Sequence, residues 1–285
     1  MQKHYLIIDE SGAKGYAGAK EKFEGELGVM AGFLLPANRF EHYKSLLDEA
    51  IQSAEFDGKA HITEAPPEEQ ARLRKALIDT FQKEGIPWLY EAIFVEGLYQ
   101  SEFDPERGGA KNDGELLHAK LFSDVMIKAL ACLHPYREEG VCIEVITDTI
   151  DNGVRKRLLQ EIESYIQVMK GEPIVHEEKT RDRDPAKRVT HVMTSDLSSV
   201  SASVRFAHID IGIRCEQSSM TLAADILANS AHHHLKQKFK DDPSIELNTR
   251  EAMASHPLAG QVLQNPPATK SQINSLSDVI YRRLP

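Results

Sequence analysis

The sequence predicts an α/β protein in which a mixed sheet is flanked by helices. Two short apolar runs, residues 5–8 and 141–147, have the length and the β-branched composition of buried strands, and an aspartate follows each run directly. Longer segments between and after these runs repeat apolar residues at helical spacing. Strands that alternate with helices in this way are typical of α/β proteins.

The first third of the chain predicts a hairpin and two helices. The strand at residues 5–8 leads into Asp-Glu-Ser-Gly at 9–12, which predicts a polar turn, and the apolar pattern at 26–35 predicts the partner strand, ending at Pro36. Asn38 and Glu41 match a capping box and predict a helix to about residue 54. Pro66 and Pro67, followed by two glutamates, predict a second helix to about residue 84, because proline and carboxylates suit the first turn.

The middle and the end of the chain continue the alternation. Residues 86–95 predict a third strand, 115–133 a helix, 141–148 a strand and 154–169 a helix. The pattern at 174–213 changes to short strands around the charged segment 177–188, which predicts an inserted hairpin at about 174–195 with a solvated tip. Residues 219–239 predict a long helix, and 271–283 a last one. We therefore expect a domain at 1–240 and a C-terminal extension at 241–285.

Composition narrows the class of protein. The 285 residues carry 34 Lys and Arg against 44 Asp and Glu, a formal net charge of −10, which argues against a polybasic nucleic-acid binder. Cys132, Cys142 and Cys215 are odd in number and lack paired metal-ligand spacing, as expected in a reducing compartment. No apolar run approaches the roughly 18 residues of a membrane span. These features predict a cytoplasmic protein without a membrane partner.

Three aspartates stand where buried apolar residues would be expected. Asp9 and Asp148 end strands, and parallel neighbouring strands would bring them to one edge of the sheet, where open α/β sheets bind ligands. Asp225 interrupts the apolar segment 222–228 of a helix, and a buried carboxylate is costly unless it is paired or acts as a ligand. A shared site for Mg²⁺ or Mn²⁺ explains all three, with Glu10 and Glu64 as candidate further ligands.

Three segments carry a resemblance to a known family. Ile-Ile-Asp-Glu-Ser-Gly at 7–12, Ile-Thr-Asp at 146–148 and Ala-Asp-Ile-Leu-Ala at 224–228 together resemble the bacterial and phage family called domain of unknown function 3800. The resemblance extends to about residue 235 and implies a ribonuclease H-like fold. It also implies metal-ligand roles for Asp9, Asp148 and Asp225. Glu64 is the nearest match to the second acidic position of such sites.

The implied function is a divalent-metal-dependent nuclease that hydrolyses phosphodiester bonds of RNA or DNA, in phage defence or a mobile element. In such a site one ion activates a water molecule and the other stabilises the leaving oxygen. A histidine could assist the leaving group, and the candidates are His61, His118 and the run at 232–234. His232 is the best of that run, because it shares a helix face with Asp225 and Asn229.

Other functions are less well supported by local motifs. A haloacid-dehalogenase-type phosphatase would need a second aspartate where Ser11 stands, and the P-loop, dinucleotide-binding, nucleophile-elbow and zincin signatures are absent from the sequence. A glycosidase carboxylate pair stays open, since the separation of two carboxylates cannot be read from a sequence. The main alternative is a non-catalytic binding or assembly subunit that acts through a protein partner or as a homo-oligomer. RNA or DNA, and endo or exo cleavage, also stay open.

Overall fold

The computed structural model describes residues 1–13, 21–56, 61–102, 115–170, 174–181, 188–195, 205–263 and 276–283. The strands in these ranges are β1 (Gln2–Gly12), β2 (Leu27–Pro36), β3 (Trp88–Phe94), β4 (Val141–Thr147), β5 (Ile174–Arg181), β6 (Arg188–Ser195) and β7 (Ile209–Cys215). The α-helices are α1 (Phe40–Ser53), α2 (Pro67–Glu84), α3 (Val95–Glu102), α4 (Leu116–Leu133), α5 (Asn152–Lys170), α6 (Ser219–Asp241), α7 (Arg250–Met253) and α8 (Leu276–Ile280).

Five strands form one mixed sheet in the order β3-β2-β1-β4-β7. Strand β1 is antiparallel to β2, and β2 is antiparallel to β3. On its other side β1 pairs with β4 in parallel, and β4 pairs in parallel with β7. Helices cover both faces of this sheet. The predicted α/β class, with a mixed sheet flanked by helices, is therefore confirmed.

The two faces of the sheet have separate hydrophobic cores. Helices α1, α2 and α6 cover one face, and α4 and α5 cover the other. Because side chains alternate along a strand, Ile7 of β1 belongs to the first core, whereas Leu6 and Ile8 belong to the second. Asp9 follows the parity of Ile7 and therefore faces α6.

The predicted turn at residues 9–12 is wrong, because β1 continues through these residues. Asp9 pairs with Ala31 of β2, and Gly12 pairs with Gly28. The turn preference of Asp-Glu-Ser-Gly is a local effect. Pairing with β2 extends through all four residues and outweighs it.

The capping box predicted at Asn38 and Glu41 is also wrong, although the helix behind it exists. A 3-10 helix at Ala37–Arg39 precedes α1, and Arg39 is the N-cap residue of α1. No side chain makes a capping hydrogen bond at this helix start. The prediction placed the start of the helix one residue too early.

Strands β5 and β6 form a separate antiparallel pair, with Ile174 opposite Ser195 and Arg181 opposite Arg188. The segment 182–187 between them, which is half of the predicted charged segment 177–188, lies outside the described residues. In the described part of the chain, no helix is both long enough and apolar enough to cross a membrane.

Residues of the C-terminal region cover the exposed edge of β3. The side chain of Asn248 donates from Nδ2 to the carbonyl oxygen of Ala92 and accepts from the Ala92 N–H through Oδ1, as a neighbouring strand would do. The Trp88 indole N–H donates to the carbonyl oxygen of Leu258, and the Leu263 N–H donates to that of Trp88. This cover protects an edge that could otherwise pair with another chain. The predicted domain boundary at residue 240 stays a prediction.

Candidate metal centre

Asp9 and Asp148 lie level with each other at one edge of the sheet. In the parallel pairing of β1 with β4, Ile7 is opposite Ile146, and the two aspartates come two residues later on each chain segment. Ile7 and Ile146 belong to the same core, so the two aspartates face the same side of the sheet. The β1–β4 register thus brings together two carboxylates that are far apart in the sequence.

Helix α6 adds the third carboxylate from above this edge. A capping box between Ser218 and Thr221 fixes the start of the helix. Asp225 comes one turn later, among alanines that let α6 pack closely against the sheet. The backbone N–H of Ile62 donates to Asp225 Oδ2 over 2.8 Å, which orients the carboxylate.

His61 lies between the carboxylates of Asp148 and Asp225. Its Nε2 atom is 3.5 Å from Asp148 Oδ2, and its Nδ1 atom is 3.9 Å from Asp225 Oδ2. One ligand atom each from Asp9, His61 and Asp225 lie within 4.8 Å of one another. Four side chains from four segments of the chain therefore meet at one place.

The centre concentrates negative charge in a buried environment. Asp9, Asp148 and Asp225 are only 6%, 6% and 7% exposed. Burial, together with the charges of Glu10 and Asp225, raises the pKa of Asp9 to about 9, although the Glu10 backbone N–H donates to Asp9 Oδ1 and acts in the opposite direction. Mutual repulsion among these carboxylates favours a bound cation, because its positive charge offsets both the burial and the repulsion.

A guanidinium group lies on the flank of the centre. Arg74 of α2 donates from Nη2 to Asn229 Oδ1 over 2.7 Å, and Asn229 is one turn along α6 from Asp225. Burial lowers the pKa of Arg74, and the charge of Asp225 partly opposes that change. Arg74 thus compensates part of the negative charge at the α6 side of the centre.

The other predicted site residues have different surroundings. Glu10 Oε1 is 3.7 Å from His118 Nε2 of α4, on the opposite face of the sheet from α6. The ring of His232 lies against Gly12, so closely that a Cβ atom there would be 2.7 Å from Cδ2 of the ring. Burial lowers the pKa of His232. The side chain of Glu64 lies outside the described part of the structure.

Sequence reasoning named His61, His118 and the run at 232–234 as candidates and preferred His232 within that run, whereas the structure brings His61 among the aspartates. The sequence contains one signal for this placement. Ile62 is an apolar residue within a polar stretch, and in the fold it is fully buried and anchors its segment on the core beneath α6. An anchored backbone presents the neighbouring His61 at a defined position.

Ser230 and His256 are hydrogen-bonded to each other, but His256 does not act as a base that activates Ser230 as a nucleophile. Ser230 Oγ is 2.9 Å from His256 Nε2, and the Leu258 N–H donates to His256 Nδ1 over 3.1 Å. Since Nδ1 accepts, the ring proton of neutral His256 is on Nε2, and Nε2 donates to Ser230. A histidine in that tautomer cannot accept the serine proton.

The donor set of the centre fits a divalent cation. It combines carboxylate oxygens, which Mg²⁺ and Mn²⁺ prefer, with one imidazole nitrogen. No protein-family model matches the chain, and no curated protein is significantly similar to it. The functional interpretation therefore depends on the geometry of the centre and on the chemistry of its side chains.

Proposed function

We propose that the protein is a divalent-metal-dependent nuclease with a ribonuclease H-like fold, related to the family called domain of unknown function 3800. The observation that carries this proposal is the meeting of Asp9, Asp148 and Asp225 at one edge of the sheet. The five-stranded mixed sheet flanked by helices supports the same fold. Its substrate would be RNA or DNA.

In this proposal the three aspartates hold Mg²⁺ or Mn²⁺ ions. When bound, such ions supply an activated water and stabilise the leaving oxygen of an in-line displacement at phosphorus. Backbone N–H groups hold two of the aspartate ligands in a fixed orientation. The Thr149 N–H donates to Asp148 Oδ1 over 2.6 Å, and the Ile62 N–H donates to Asp225 Oδ2, so that backbone donors orient both carboxylates.

The overall charge of the protein agrees with recognition through cations. A chain with a net charge of −10 repels a polyphosphate at long range, and the carboxylate centre would repel it most strongly at close range. Divalent ions in the centre would reverse that local field. We therefore expect the ions to be required for substrate binding as well as for the chemical step.

The test is cleavage of defined RNA, DNA and hybrid substrates with Mg²⁺ or Mn²⁺, by the wild type and by Asp148→Asn. Loss of a metal ligand should remove several kcal/mol of transition-state stabilisation, which corresponds to about a hundredfold or larger loss of rate. Asp151→Asn is the matched control, because Asp151 is exposed and follows the same strand. Its rate should stay within about twofold of the wild type.

Two results would overturn the proposal. The first is wild-type protein that leaves every substrate uncut with either ion. The second is equal cleavage by wild type and Asp148→Asn, which would mean that the activity comes from another site or from a contaminant. The first result would favour the binding or assembly subunit.

A further inference from the structure

His61 is placed as a metal ligand would be. Two atoms that coordinate one octahedral ion at about 2.1 Å are about 3 Å apart when adjacent and about 4.2 Å apart when opposite. The distance from His61 Nε2 to Asp148 Oδ2, 3.5 Å, falls within this range, and so does the distance of 3.9 Å from the other ring nitrogen, Nδ1, to Asp225 Oδ2. Each ring nitrogen is therefore at the spacing of an ion shared with the aspartate next to it, and one ligand atom each of Asp9, His61 and Asp225 lie within 4.8 Å of one another.

The backbone that carries His61 is held in place. Ile62 is fully buried beneath α6, and its N–H donates to the same oxygen of Asp225 that faces the His61 ring. The His61 side chain itself is 41% exposed, so an ion from solvent can reach it without unfolding of the segment. A fixed backbone with an accessible ring is the arrangement expected of a preformed ligand.

We propose that His61 is a nitrogen ligand of the metal centre and that it gives the centre a preference for first-row transition ions over Mg²⁺. This inference rests on the proposed metal-dependent function. An imidazole adds affinity for transition ions, whereas Mg²⁺ is bound almost entirely by oxygen. Among the divalent first-row transition ions, Mn²⁺ generally binds most weakly to protein ligands. A preference for Mn²⁺ over Mg²⁺ is therefore the most demanding test of this inference.

The first experiment is pulsed electron paramagnetic resonance of Mn²⁺ bound to the protein of 285 residues. A directly coordinated imidazole produces ¹⁴N modulation of the Mn²⁺ echo. We expect this modulation in the wild type and its loss in His61→Asn. His42→Asn is the matched control, because His42 is exposed on α1 and should leave the modulation unchanged.

The second experiment measures selectivity. Mn²⁺ affinity is titrated from the signal of the free ion, and Mg²⁺ affinity is measured by competition. His61→Asn should weaken Mn²⁺ binding by about tenfold or more, and Mg²⁺ binding by less than about threefold. The ratio of the two affinities should therefore fall in His61→Asn and stay unchanged in His42→Asn.

The outcomes separate this inference from the proposed function. If Mn²⁺ binds to the wild type and is lost in Asp9→Asn, but no ¹⁴N modulation is seen, the aspartate centre stands and His61 is not a ligand. An unchanged selectivity ratio in a folded His61→Asn protein, verified by circular dichroism, would also overturn the role of His61. If the wild type binds neither ion, both the proposed function and this inference fail.

Discussion

Removal of Lys128 should destabilise the protein more than removal of any ordinary surface lysine. Lys128 of α4 contacts the carboxylate of Glu91 on β3 and donates from Nζ to the carbonyl oxygen of Tyr90 over 2.7 Å. Glu91 is fully buried, and the Lys128 side chain is only 11% exposed. Burial raises the pKa of both Asp124 and Asp278, and the charge of the nearby Glu91 raises each further. Lys128 is thus a positive charge within a buried group of carboxylates.

The expected magnitude follows from this burial. Lys128→Met keeps most of the aliphatic stem but leaves the buried Glu91 carboxylate without its ammonium partner, and breaking a buried pair in this way typically costs about 3–5 kcal/mol. The lost hydrogen bond to Tyr90 adds about 1 kcal/mol. We therefore expect the free energy of unfolding to fall by about 4–6 kcal/mol.

The assay is urea denaturation followed by circular dichroism, with linear extrapolation to water. Lys75→Met is the matched control, because Lys75 forms an exposed pair with Asp79 on α2 and should change the unfolding free energy by less than about 1 kcal/mol. The double variant Lys128→Met/Glu91→Gln should recover at least half of the loss, since the isolated charge is gone. A loss below about 1 kcal/mol in Lys128→Met, or no recovery in the double variant, would refute the reasoning.

Three further predictions concern pH, packing and metal binding. Burial and the charge of Glu91 raise the pKa of Asp278 to about 7, so the folded protein holds a proton that the unfolded chain releases near pH 4. The stabilisation from this bound proton is present below about pH 4 and is lost as the pH rises through 7. In urea titrations, the wild type should therefore lose stability relative to Asp278→Asn between pH 5 and pH 8. A difference in unfolding free energy that stays constant over this range would contradict the prediction. Gly32→Ala should lower the melting temperature strongly, because the added Cβ atom would lie 1.9 Å from the carbonyl oxygen of Ile7. Gly212→Ala is the control and should change the melting temperature little, because a Cβ atom there meets no atom within 4 Å. Mn²⁺ at a hundred times its dissociation constant should stabilise the wild type by about 2.7 kcal/mol in thermal unfolding and should have far less effect on Asp225→Asn; equal effects on both would place the ion elsewhere.

Helices and strands were predictable wherever the local pattern and the tertiary environment agree. The predicted helix at 219–239 is observed at Ser219–Asp241, and the predicted strand at 141–148 at Val141–Thr147. Both segments carry a strong periodicity and are buried as that periodicity requires. Residues 9–12 are the opposite case, because their turn preference is overridden by pairing with β2. A pattern within a few residues does not show how far the pairing with the following strand extends.

The amino-acid pattern by itself determined that the protein is α/β and that Asp9, Asp148 and Asp225 are exceptional, since a carboxylate within an apolar segment is costly without a partner. Only the tertiary structure decided that His61, rather than His232, lies among them. That outcome depends on the β1–β4 register and on the docking of α6 over Ile62, and both are set by packing between distant segments. Local periodicity carries no information about such contacts, because they arise only when the whole core is assembled.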